Sequence, residues 1–273
     1  MERTEMSTAA ADHSTADPAD TNRLVGSDRV LAVLKELARH SDGVGLEEMT
    51  RAIGAPKPTV HRALGALRRA GLADQDGRGH YLLGDEFLRM AFAYHEARPE
   101  HKRITPLLET LAARFGETAH YAVLEGREVV YRAKVDPPSG AVRLTSTVGG
   151  RNPAHSTAVG KLLLAHRLPT REAVAVWFDA GPLPSPTART PRTAADLHRQ
   201  LERVRQQGYA VDDQENETGV NCIALPVYAG APSVPTGAVS VSALAYRTPL
   251  TTLTDAVGEI RELLGILGTT ARP

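Results

Sequence analysis

The sequence predicts an α+β chain in two parts: a small winged helix-turn-helix, then a larger unit built on a central antiparallel sheet. Three observations predict it. Leu46 to Ala70, LEEMTRAIGAPKPTVHRALGALRRA, reads as two short helices joined by a tight turn. A hairpin pattern follows at once, with Gly71-Leu72-Ala73, a turn at Asp76-Gly77, and His80 to Leu83 as a second strand. From about His101 onward, β-branched and aromatic strand segments come in two groups, with helical segments between and outside them.

The outer bounds come from composition. The chain has 273 residues, enough for about two domains, and 42% of them are hydrophobic. No apolar run reaches the ~20 residues that a membrane span needs, so no membrane partner is expected. The N-terminus carries acids and no apolar core of a signal peptide. One cysteine rules out an intrachain disulfide framework and suits a reducing cytoplasm. Formal net charge is zero, so any nucleic-acid signature has to be local.

Residues 1–22 are rich in Ala, Thr, Ser and Asp and read as a disordered tail. Residues 23–84 form the winged helix. Arg29 to Ala38 is its supporting helix, with Val30, Leu31, Leu34, Leu37 and Ala38 as apolar positions. Leu46, Met49 and Ile53 give the next helix one apolar face. Gly54 can take the positive φ of a helix C-cap, and Pro58 fits the first turn of the following helix, where no backbone donor is needed. Val60, Leu64 and Leu67 form that helix's buried face. Its basic residues lie mostly elsewhere, and no acid occurs from Ala55 to Ala73. A helix of this kind enters the DNA major groove. The plainer alternative is an amphipathic helical hairpin with a solvated basic face.

Residues 85–100 read as a linker helix. Phe87, Leu88, Ala91, Phe92 and Tyr94 place apolar groups on more than one face, which predicts packing on the DNA-binding part and on a partner chain. Residues 101–273 make the second domain. Ile104, Leu107, Leu108 and Leu111 mark a helix closed near Gly116. Thr118 to Leu124 and Glu128 to Val135 form a hairpin, and Ala141 to Thr145 a third strand. Val148 to Ser156 is a loop, Thr157 to His166 a helix capped by Thr157 or Ser156, and Arg171 to Phe178 a short helix. Gly181 to Pro191 holds four prolines and reads as a surface loop. Thr193 to Gln207 is a helix. Strands follow from Gly208, over Asn221 to Val227 and over Ala238 to Leu244, and Leu253 to Leu267 is a closing helix.

At the level of single residues, Lys57 and Thr59 start the candidate recognition helix, where side chains and free N–H groups meet phosphates or base edges. His61 and Arg62 follow, and Arg62 has the fork to pair with a guanine. Arg68 and Arg69 lie near the helix end, closer to the DNA backbone, and Arg78 sits at the wing tip. Each of these is otherwise a solvated surface charge.

Three segments then carry a resemblance that covers about Asp28 to Leu267. APKPTVHRALGALRRAGL, GGRNPAHSTAVGKLLLA, and GYAVDDQENETGVNCIALPVY followed by GAVSVSAL resemble the IclR family of bacterial transcriptional regulators. The resemblance implies an N-terminal winged helix-turn-helix, a linker helix and a C-terminal GAF-like effector-binding domain with the central antiparallel sheet. It implies binding to a double-stranded operator as a homodimer or dimer of dimers. It also implies a small organic or aromatic acid as effector, held between the sheet and Ala154 to Gly160. A repressor of a catabolic operon is the expected role. One departure is Pro58, where the family commonly has serine, which leaves Thr59 as the nearby hydroxyl donor.

The candidate effector residues are Gly160, Asp212, Cys222, Ser240 and Ser242. Ser240 and Ser242 are two apart on one strand and share a face, and the N–H groups that open the helix at Ser156-Thr157-Ala158 favour an anion. Other readings stay open. Cys222 suits a core position, Asp212-Asp213 a solvated strand end, and the two serines an exposed face. No catalytic residue and no cofactor is assigned, since His155-Ser156 lacks a G-x-S-x-G elbow and an orienting third residue. The ten histidines show no metal-binding spacing, so no metal is expected. An enzyme on a GAF-like domain with a vestigial DNA module, or a winged-helix protein-interaction adaptor, are the two alternatives.

Overall fold

The computed structural model describes residues 26–97, 99–137, 144–228 and 234–266. The expected N-terminal tail lies outside them. The chain divides into two compact units between Glu96 and Ala97.

In the first unit, α1 (Gly26–Leu37), α2 (Leu46–Ile53) and α3 (Lys57–Arg69) pack around Val33, Leu37, Met49, Val60, Leu64 and Leu67. The turn between α2 and α3 has the expected chemistry. Gly54 caps α2 at φ 65°, its N–H donating to the Thr50 carbonyl, and Pro58 sits in the first turn of α3. Strands β1 (Ala73–Gln75) and β2 (Tyr81–Leu83) pair antiparallel as the wing. Val44 adds a bridge to Tyr81, with N–H···O distances of 2.9 Å in both directions. Helix α4 (Asp85–Ala97) follows. Only its first turns are partly covered, at Glu86 and Phe87, while Leu88, Met90 and Phe92 are exposed. The packing of α4 on the DNA-binding part is confined to this start, where Glu86 lies against Gly71.

The second unit is three-layered. Strands β3 (Thr118–Glu125), β4 (Glu128–Val135), β5 (Arg151–Pro153), β6 (Ala210–Asp213), β7 (Val220–Val227) and β8 (Gly237–Leu244) form one antiparallel sheet in the order β5-β4-β3-β8-β7-β6. Helices α5 (Pro99–Phe115), α9 (Leu250–Asp255) and α10 (Val257–Ile266) cover one face, packed on Tyr121, Ile223, Leu225, Val239 and Val241. Helices α6 (Ala158–Arg167), α7 (Arg171–Asp179) and α8 (Ala194–Gln207) cover the other, through Leu162, Leu164, Leu197 and Leu201. Strand side chains alternate between faces. Val239, Val241 and Ala243 thus point to the first layer, and Ser240 and Ser242 to the second.

Three expectations are corrected. Of the expected third strand, Ala141 to Arg143 lie outside the described residues, and Leu144 and Thr145 are not in a strand. Instead Arg151–Pro153, read above as loop, pairs with β4 from Val130↔Arg151 to Glu128↔Pro153. It is an edge strand, where a proline is tolerated because one side of the backbone needs no partner. Gly208 belongs to the α8 C-cap at φ 75°, so β6 starts only at Ala210. The closing helix is two helices broken at Ala256; Leu267 lies outside the described residues.

Candidate functional site

The first unit presents a basic surface. Lys57, His61, Arg62, Arg68, Arg69 and Arg78 are exposed and Thr59 is half-buried, because the apolar stripe Val60, Ala63, Leu64 and Leu67 turns the rest of α3 outward. Lys57 Nζ donates to Glu47 Oε1 of α2 at 3.1 Å, and Arg68 Nη1 to Gln75 Oε1 of the wing at 2.9 Å. Asp76 organises the wing tip. Its Oδ1 accepts from the His80 N–H at 2.8 Å and the Arg78 N–H at 2.9 Å, and these bonds, His80's foremost, hold its carboxyl below the ordinary value. The turn expected at Asp76-Gly77 lies between the Asp76 and His80 backbone pair, whose N–H···O distance is 2.9 Å.

In the second unit, a cavity of about 490 Å³ opens between the sheet and the start of α6. Asp212, Cys222, Ser240 and Ser242 all line it. Sheet register brings them together: Asp212 lies across from Cys222, and Cys222 across from Ser242, while Ser240 faces His120 of β3. Asp212, Ser240 and Ser242 are buried, so neither the solvated strand end nor the exposed serine face applies. Cys222 is half-buried, and burial pushes its thiol well above the ordinary value.

Gly160 does not line this cavity. It stands inside α6 where an added Cβ would lie 2.1 Å from the Ala154 carbonyl oxygen, so its role is to let α6 press against the loop before it. Thr157 caps α6 and accepts from the Gly160 N–H at 3.1 Å. Ala158 and Val159 are in the cavity wall, and first-turn N–H groups of a helix have no intrahelical acceptor.

Several lining residues were not anticipated. His120 is buried at the sheet face, with Nε2 2.8 Å from Ser146 Oγ and Nδ1 3.5 Å from Ser242 Oγ. Its ring lies 4.9 Å from that of Tyr131, whose hydroxyl accepts from Asn152 Nδ2 at 3.2 Å. Burial lowers His120 to about 3 and raises Tyr131 to about 12, so both stay uncharged near neutrality. Pro184 and Pro186, from the proline-rich segment, also line the cavity. A histidine inside a strand pattern carries no signal for this placement, which comes from pairing with residues 120 positions away.

Asp212 has opposed surroundings. Burial pushes its carboxyl up to about 7, against the pull of Lys161 and of backbone N–H groups from Glu215 and Asn216, which donate to Oδ1 at 2.6 and 3.3 Å. Behind the cavity, Lys161 is 1% exposed, and its Nζ lies 2.5 Å from Glu215 Oε2 and 2.6 Å from Gln200 Oε1. Arg151 at the cavity rim is paired with Glu125 at 2.7 Å and Glu128 at 3.3 Å.

His155 and Ser156 are not joined as base and nucleophile. His155 Nε2 lies 3.0 Å from the Pro184 carbonyl, and Ser156 Oγ donates to Asn216 Oδ1 at 3.1 Å. Among the described residues there is no group of three or more His, Cys, Asp or Glu placed to hold a metal ion. No described helix is long and apolar enough to cross a membrane.

Comparison with known proteins agrees with both units. Residues 27–77 match the IclR helix-turn-helix domain, and residues 94–264 match the bacterial transcriptional regulator IclR C-terminal domain. The chain is 31% identical over 236 residues to the HTH-type transcriptional repressor AllR of Salmonella typhi, covering 85% of this chain and 84% of that one. A putative transcriptional regulator from Rhodococcus sp. RHA1 superposes with a TM-score of 0.76 at 28% identity, over 88% of this chain and 94% of that one. An IclR homologue from Microbacterium hydrocarbonoxydans, solved in complex with 4-hydroxybenzoate, shares the fold with a TM-score of 0.69 at 23% identity, over 87% and 95% of the two chains. On the match to both domains and the likeness to full-length relatives, the chain belongs to the IclR family of bacterial transcriptional regulators.

Proposed function

We propose that the chain is a cytoplasmic repressor of a catabolic operon whose operator affinity is set by a small organic or aromatic acid. The observation that carries this reading is the joint presence of an exposed, acid-free basic helix in one unit and a polar-floored cavity in the other. Residues 23–84 read the operator, residues 85–100 link, and residues 101–273 hold the effector. On DNA, Thr59, His61 and Arg62 face the major groove, Lys57, Arg68 and Arg69 the phosphates, and Arg78 reaches out from the wing. The exposed Leu88, Met90 and Phe92 of α4 support pairing of two copies, whose two-fold symmetry matches a pseudo-palindromic operator. In the cavity, the α6 N-terminus takes the effector carboxylate. Asp212, Cys222, Ser240 and Ser242 contact the rest, and Gly160 sets the position of α6.

Effector binding shifts the population of DNA-competent arrangements. The role is binding, not turnover. The test is an anisotropy titration on DNA from upstream of the chain's own gene, at fixed salt, with and without a panel of small carboxylic and aromatic acids. Specific binding that one acid releases is the expected result. Specific binding indifferent to every acid would remove the effector assignment, and no preference over random DNA would remove the operator assignment.

A further inference from the structure

Among the described residues, the floor of the cavity holds no free cation. Arg151 at the rim is committed to Glu125 and Glu128. Lys134, across from His120 on β4, is bound to Asp136 at 3.1 Å and to the Leu144 carbonyl at 2.9 Å. Lys161, behind Asp212, is bound to Glu215 and Gln200. A carboxylate pushed to the floor would meet Asp212 and no compensating charge, and burying an unpaired charge is costly. Among the described residues, the uncommitted electropositive element in the wall is the first turn of α6. A bound acid therefore has a defined orientation, with its carboxylate at α6 and its far end at the sheet.

At that far end stands His120. Its Nε2 has a well-placed partner in Ser146 at 2.8 Å, whereas the Nδ1 contact to Ser242 is 3.5 Å, at the outer limit of a hydrogen bond. Nδ1 is thus a buried polar atom in the cavity wall with capacity to spare, and Ser242 beside it both donates and accepts. A ligand hydroxyl at this point completes the pair, and a ligand hydrogen leaves it weakly satisfied. A site built to bond a hydroxyl rejects the analogue that lacks one far more strongly than an apolar pocket does.

We propose, on the reading of this cavity as an acid-effector site, that His120 is its specificity-determining residue. It selects a monocarboxylic acid that carries a hydroxyl remote from the carboxylate, over the unsubstituted acid and over the diacid. The test uses the full chain and isothermal titration with two matched sets: 4-hydroxybenzoate, benzoate and terephthalate, and 4-hydroxybutyrate, butyrate and succinate. In the set that binds, the hydroxy acid should be at least tenfold tighter than the plain acid and tighter still than the diacid. His120→Phe should collapse the tenfold preference to under threefold. His120→Asn, which keeps one donor and one acceptor, should retain part of the preference. Circular dichroism on both variants separates loss of selectivity from loss of fold. A preference that persists in His120→Phe, or a diacid that binds as tightly as the hydroxy acid, overturns the inference and leaves the effector site standing. Failure of all six probes to bind overturns the effector-site reading and the inference with it.

Discussion

Replacing Asp212 by Asn should stabilise the second unit, and do so more strongly as pH rises. Burial holds this carboxyl up at about 7, against an ordinary value of 3.8. The folded chain then binds the proton more tightly than the unfolded chain. Between about pH 4 and pH 7 it carries more protons than the unfolded chain, so stability falls as pH rises through that window and levels off above it. A proton affinity roughly a thousandfold above the unfolded value corresponds to about 4 kcal/mol once Asp212 is ionised. Asparagine keeps the Oδ1 acceptor used by the Glu215 and Asn216 N–H groups and carries no charge at any pH. The stability difference between variant and parent should therefore grow by about 2–3 kcal/mol from pH 5 to pH 8. Urea unfolding followed by the fluorescence of Trp177, the chain's one tryptophan, reports on the second unit. Taking the difference at each pH cancels the other titrating groups and any constant effect of the amide. A difference that stays flat or shrinks toward pH 8 would refute the reasoning, because it would mean that Lys161 and the two N–H donors outweigh burial and keep Asp212 ionised.

Other perturbations follow from the same packing. Gly160→Ala puts a methyl group 2.1 Å from the Ala154 carbonyl and should cost about 1–3 kcal/mol in thermal or urea unfolding, whereas Gly65→Ala, with nothing closer than 3.6 Å, should be neutral or mildly stabilising. Lys161→Met leaves the Glu215 carboxylate buried without its cation and should cost about 3–5 kcal/mol, much of it recovered when Glu215→Leu is added. Arg62→Ala should weaken operator binding by about 1–3 kcal/mol and leave random DNA less affected; unchanged operator affinity would remove Arg62 from the interface. Arg78→Ala should weaken both DNAs alike and lower the salt slope by about one, measured from affinity against salt concentration.

The helix-turn-helix was legible because its determinants are local. Gly54 at positive φ, Pro58 in a first turn and apolar residues at three- and four-residue spacing each act within one helical turn. The alternation Val239, Ser240, Val241, Ser242 likewise marked two faces of one strand, and both serines line the cavity. Local patterning thus specified most of the elements and which residues share a face. Tertiary structure decided the rest. Whether α6 could approach Ala154 closely enough to need Gly160, whether Asn152 and Pro153 would extend the sheet as an edge strand, and whether His120 would meet Ser242 all depend on register between segments far apart in the chain. The charge state of Asp212 depends on the same closure, since the carboxyl rises only once the packed helices and sheet remove its water. Local patterning fixes dihedral preferences and apolar faces over a few residues, while a cavity is the space left when such faces pack, and its shape and electrostatics arise from contacts that no short stretch of sequence contains.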